Sequence, residues 1–138
     1  MMADQILFVS CSTSIRQMPP MSFGQMAAKI NADMSMGSTR YWMIDGHTCT
    51  SICDNGTSND WLSWHRAAAI KSKLIAAGVP ANHLKIRGFA SNWIVVNPST
   101  HPDNRRVEIY AADDAGYPLS LEQSDNMMMC PKPSDCPF

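Results

Sequence analysis

The stretch IDGHTCTSICDNGTSNDWLSWHRA, residues 44–67, decides how the rest of the chain is read. An apolar strand, Tyr41-Trp42-Met43-Ile44, runs into Gly46-His47-Thr48. A polar loop bearing Gly and Cys follows. A helix then opens near Asn59 and carries Arg66 one to two turns in. A strand end, a tailored loop and a helix N-terminus meeting at one corner is a common way to build a ligand site. The remaining chain reads as scaffold for that corner.

Downstream of the loop, apolar periodicity predicts a helix from Asn59 to about Ala77, ended by Gly78 with Pro80 beyond. Ser63, Ala67, Ile70, Leu74 and Ala77 form the stripe that packs on a sheet. Asn59 can cap this helix, and Asp60 suits its positive end. Trp61 and Trp64 read as packing or groove walls. Leu84–Phe89 is a third strand. A long connection with Trp93, Pro98 and Pro102 leads to a fourth, Arg105–Ala112, with Arg106/Val107/Glu108/Ile109 alternating.

Upstream, Gln5–Cys11 is the first strand and Ser12–Pro20 a connection. Ser22 is a candidate N-cap. Phe23, Met26, Ala27 and Ile30 follow on one helical face, where the methionines serve as core filler. Gly37-Ser38 breaks that helix before a second strand, Thr39–Ile44. The order β-α-β-α-β-β predicts an α+β sandwich, a mixed sheet with helices packed on one face. The domain spans 1–112. Residues 113–138, rich in Met, Pro and Cys, form an irregular tail.

Composition narrows the classes. A chain of 138 residues suits one domain. Hydrophobic residues at 45% against 17% charged allow a packed core rather than global disorder. A net charge of -1 argues against binding nucleic acid through bulk phosphate attraction. No run approaches the roughly 18 apolar residues of a membrane span. Ile6–Cys11 superficially resembles a lipoprotein cleavage box, but its apolar run is short and no Lys or Arg precedes it, so no signal peptide is expected there. Five cysteines leave Cys11 over beside two locally spaced pairs, Cys49/Cys53 and Cys130/Cys136. Short-loop disulfides in an oxidising compartment are one reading, and free thiols the other. No metal-ligand spacing occurs, so no metal or cofactor is expected.

Four motifs in order carry a family resemblance: Gly46-His47-Thr48; Asn59-x-x-Leu62-Ser63-x-x-Arg66-Ala67; Ile70, Leu74 and Gly78-Val79-Pro80; and Asn104-Arg105-Arg106-Val107-Glu108-Ile109. Together they resemble the OmpA-like peptidoglycan-binding domain over Ile44–Tyr110. The resemblance implies a periplasmic, cell-wall-associated module that binds the peptidoglycan stem peptide through meso-diaminopimelate, whose far end is a carboxylate beside an ammonium. Arg66 then takes the carboxylate, since a planar guanidinium pairs with it bidentately. Asn59 and Thr48 line the site, and Arg105 orients the pocket or pairs with an acid.

The chain departs from the family at the carboxylate, reading GHTC where the family reads GHTD. Cys49 stands at that position, and the loop to Asn59 is two residues longer. Either Asp54 supplies the charge, turned toward Arg66 by a Cys49–Cys53 bridge, or the ligand site is lost. In the second case the domain is a protein-protein platform within an envelope or secretion complex or a phage tail-like particle. Asp45 ranks below Asp54 as the acid. Ser63, His65 and Asp60 share one helix but do not converge on one face, and no hydrolase, zincin or P-loop signature is present, so no enzyme is expected.

Overall fold

The computed structural model describes residues 5–37 and 41–112. Strands β1 (Ile6–Phe8) and β2 (Ile15–Gln17) come first, then helix α1 (Phe23–Ser35) and strand β3 (Tyr41–Gly46). Helix α2 (Asn59–Ala76) precedes strands β4 (Leu84–Gly88) and β5 (Arg106–Ala112). The five strands make one mixed sheet ordered β2-β1-β5-β3-β4. Only β3 and β4 run parallel, joined by the α2 crossover. This is the expected α+β arrangement with one addition. Residues 15–17, read as connection, pair antiparallel with β1 and extend the sheet. Three residues between polar stretches are too few to show an alternation.

Strand alternation sorts the sheet into two unlike faces. Trp42, Ile44, Leu84, Val107 and Ile109 share a core with Ile30 of α1 and Ala67, Ile70 and Leu74 of α2. The alternate positions Asp45, Arg87, Arg106, Glu108 and Tyr110 are also buried, on the opposite face. Helix α1 starts at the expected Ser22 cap, whose Oγ accepts from Gln25 N–H, and the structure adds the reciprocal bond from Ser22 N–H to the Gln25 side chain. Helix α2 is capped by Ser58 rather than Asn59. Ser58 Oγ accepts from Trp61 N–H, and Asn59 becomes the first helical residue.

Two glycines set how closely α2 approaches. Gly46 of β3 faces Gly88 of β4 in register. A Cβ on Gly46 would lie 1.8 Å from the Ser63 carbonyl oxygen, and one on Gly88 would meet Ser63 Oγ and Trp64 N at 2.8 Å. The first two turns of α2 therefore rest directly on the strand ends. Ser63 closes the contact, accepting from Ala90 N–H and donating to the Asp60 carbonyl.

Candidate functional site

Close packing of α2 on the strand ends delivers Arg66 to the carboxyl end of β3. Its side chain is fully buried. Nε donates to Ser12 O at 2.9 Å, Nη1 to His47 O at 3.1 Å and Nη2 to Val9 O at 3.0 Å. The guanidinium sits 5.3 Å above the Phe8 ring. One side chain thus ties the β1–β2 loop to the end of β3 through three backbone carbonyls. Burial, with Arg105 nearby, lowers its pKa to about 10, so it stays charged at neutral pH.

Arg66 lines a cavity of about 10 Å³ with Ser10, Cys11, Thr48, Cys49, Ser51, Cys53, Asn59, Leu62 and Arg105. That is room for about one water molecule. Four of the five residues expected to bind ligand meet here: Thr48, Asn59, Arg66 and Arg105. Asp54 does not line the cavity and is exposed on the residue after Cys53. Thr48 is buried, its N–H bonded to Ala90 O, and its Oγ1 has no hydrogen-bond partner among the described residues. Asn59 Nδ2 reaches Ser51 O at 3.5 Å across the loop. Arg105 donates from Nε to Phe8 O at 3.2 Å and is partly exposed.

The cysteine pairing differs from expectation. Cys11 bonds Cys53, with a Cα–Cα distance of 5.6 Å, and Cys49 is a free, buried thiol. The left-over cysteine is the partner, because the β1–β2 loop held by Arg66 lies over the 47–58 loop. Sequence spacing favours neighbours in the chain and carries no sign of that approach. Burial pushes the Cys49 thiol up, but bonding to Ser51 and Arg105 outweighs it and leaves the group more acidic than an ordinary thiol. Cys130 and Cys136 lie outside the described residues, as does the tail from 113 onward.

The opposite sheet face holds a second polar cluster that sequence reading missed. Arg87 donates to both oxygens of Asp45, from Nε at 3.0 Å and Nη2 at 3.1 Å, and Tyr110 Oη bonds both residues. Asp45, considered as a third ligand acid, is spent in this cluster. Arg106 Nη2 donates to Glu108 Oε1 at 3.2 Å, and His47 Nε2 lies 2.9 Å from the same oxygen without aligned hydrogen-bond geometry. Burial raises Glu108, but His47 and Arg106 prevail and hold it at about 2. Burial and then Arg106 lower His47. The signal was in the sequence: charged residues alternate with Val107 and Ile109 in β5, so both faces of that strand had to be filled.

Ser63 and His65, which share α2 with Asp60, each have other partners. Ser63 Oγ is consumed by backbone groups, and His65 stacks on Trp61 with ring centroids 3.9 Å apart.

Solved structures share this architecture. The OmpA-like domain of FopA1 from Francisella tularensis matches with a TM-score of 0.58 at 16% identity, over 79% of this chain and 74% of that one. The fold is that of an OmpA-like domain. The peptidoglycan-associated lipoprotein from Burkholderia pseudomallei aligns with a TM-score of 0.60 at 18% identity, over 78% of this chain and 88% of that one. The cell wall anchor of the T6SS from Pseudomonas aeruginosa aligns with a TM-score of 0.52 at 25% identity, over 75% and 72%. No protein-family model and no curated sequence matches the chain. Within the OmpA-like fold, the cavity lies where β3 ends and α2 begins.

Proposed function

We propose that this domain is a non-catalytic peptidoglycan-binding module, working in the periplasm to anchor an envelope assembly to the cell wall. The observation that carries the reading is the cavity, lined by Asn59, Arg66, Arg105 and Thr48, whose hydroxyl has no hydrogen-bond partner among the described residues. That set suits a carboxylate with polar neighbours. Two structural relatives are by their own descriptions peptidoglycan-associated or a cell wall anchor, which supports the choice of ligand class.

In this reading the ligand is the meso-diaminopimelate of the stem peptide. Arg66, expected from the sequence to take the carboxylate, has its donors on backbone carbonyls, so Arg105 takes the carboxylate, Arg66 adds positive charge, and Thr48 and Asn59 orient the ligand. Asp54 meets the ammonium from the exposed turn after Cys53. Entry of the ligand requires the β1–β2 loop to move, since the cavity as folded admits a single water. The test is retention on purified sacculi. Arg105→Ala and Asp54→Ala should each lose most binding, and full retention by Arg105→Ala rejects the pocket.

The near-closed cavity favours a second reading. Arg66 has each of its three guanidinium nitrogens bonded to the protein's own backbone. The corner then acts as a structural staple, and the domain as a protein-protein platform within an envelope complex. Wild-type protein that fails to bind sacculi while co-purifying with envelope proteins supports this alternative.

A further inference from the structure

Three cysteines border the small cavity at the Arg66 corner: the Cys11–Cys53 disulfide pair and the Cys49 thiol. Cys49 and Cys53 are four residues apart in one loop, and Cys11 reaches them from the β1–β2 loop. We propose that Cys49 is an exchange nucleophile that moves the disulfide from Cys11–Cys53 to Cys49–Cys53, untying the β1–β2 loop from the site.

The step balances without a co-reactant. The Cys49 Sγ thiolate attacks Cys53 Sγ. The Cys49–Cys53 bond forms as the Cys11–Cys53 bond breaks, and the electron pair leaves on Cys11 Sγ. Cys11 then takes up the proton that Cys49 gave up. One disulfide and one thiol are present before and after.

Three features support this direction. The cavity surrounds Cys49 with two guanidinium groups, and its lining contains no carboxylate, so a thiolate is the anion that matches them. Burial raises the Cys49 thiol, but bonding to Ser51 and Arg105 outweighs it and makes the group more acidic than an ordinary thiol. Cys11, the residue that the exchange releases, holds a left-handed φ of +52°, a conformation unfavourable for a non-glycine residue. The consequence falls on the binding corner. Ser10 and Cys11 form one wall of the cavity, and Val9 and Ser12 hold Arg66. Once Cys11 is released, the loop is held there by hydrogen bonds and packing alone.

Tryptic mapping of the full chain tests this, because Cys11 falls on peptide 1–16 while Cys49 and Cys53 share peptide 41–66. The native protein is incubated without oxidant or reductant in the presence of a slow maleimide, then digested without reduction. Exchange places the label on Cys11, releases peptide 1–16 and leaves 41–66 closed by an internal disulfide. In Cys49→Ser, peptide 1–16 stays linked to 41–66 and unlabelled. The proposal is overturned by label confined to Cys49 with the two peptides still joined. Label on Cys11 in Cys49→Ser overturns it equally, as does a crosslink from peptide 107–138, which places the attacking thiol in the tail. None of these outcomes depends on whether sacculi are bound.

Discussion

Arg66 and Arg106 are both fully buried, yet the protein satisfies them in opposite ways. Arg106 has a carboxylate, Glu108, alongside it on the same strand, and Arg87 on the same face is clasped by Asp45. Arg66 has backbone carbonyls, and its cavity holds a second guanidinium, Arg105, with no acid among the lining residues. The first region is closed electrostatically, each charge answered within the fold. The second carries surplus positive charge at the end of a strand, where burial makes an anion more welcome than in water. That difference separates a structural charge cluster from a candidate binding corner, although both look alike as buried Arg in the sequence.

The contrast breaks first at Arg106. Replacing it with Leu leaves the buried Glu108 without its guanidinium partner. Stranding one member of a buried pair costs about 3–5 kcal/mol. Urea unfolding of Arg106→Leu should show a loss of that size, with a partial return in the Arg106→Leu/Glu108→Leu double variant. Equal stability of the single and double variants shows that Glu108 never relied on Arg106.

Acid probes the same pair without mutation. Glu108 titrates at about 2 in the folded protein, against roughly 4.3 when unfolded. Because the folded value is the lower, the stabilisation is full above the unfolded value and drains away as pH falls toward the folded one. The difference corresponds to about 3 kcal/mol. His47 acts in the same direction: its lowered value means the unfolded chain binds the proton more readily, so stability also declines below the ordinary histidine range. Thermal melts between neutrality and pH 3 should fall steeply in wild type and less in Glu108→Gln. Parallel slopes for the two proteins remove Glu108 as the cause.

Arg66 should matter less for stability than Arg106. Arg66→Met strands three carbonyls but no charge. Val9 is exposed and Ser12 half-buried, so water can replace two of the donors, while the His47 carbonyl keeps most of the cost. A loss of about 2 kcal/mol follows. A loss matching that of Arg106→Leu places a hidden anion beside Arg66 and erases the contrast between the regions.

The sequence made the fold legible wherever local chemistry had one solution. Ser22 and Gly78 marked a helix start and a helix end, and the structure uses each so. It also brought Thr48, Asn59, Arg66 and Arg105 to one place, because the motifs fix strand end and helix start in register. What stayed hidden depends on contacts distant in the chain. Cys11 meets Cys53 across 42 residues, and Arg66 spends its donors on Val9 and Ser12, more than 50 residues away. In NRRVEI, three adjacent residues serve three ends. Asn104 accepts from Val95 and Val96 N–H and donates to Val96 O, Arg105 lines the cavity, and Arg106 pairs with Glu108. A motif match alone assigns them one role.

The smallest expected effect has the opposite sign. Thr48 Oγ1 is buried with no partner among the described residues, and a hydroxyl left so costs about 1 kcal/mol or more against an apolar group of the same shape. Valine fills nearly the same volume, and the bond from residue 48 N–H to Ala90 O does not involve the side chain. Thr48→Val should therefore stabilise the domain by about 1 kcal/mol in urea unfolding. If the corner binds the wall, the same substitution should weaken retention on sacculi, because the hydroxyl is held for a ligand at the expense of the free domain. A variant that is both more stable and fully retained places Thr48 outside the binding contacts. One that is less stable reveals a partner for the hydroxyl and removes this sign of a ligand from the corner.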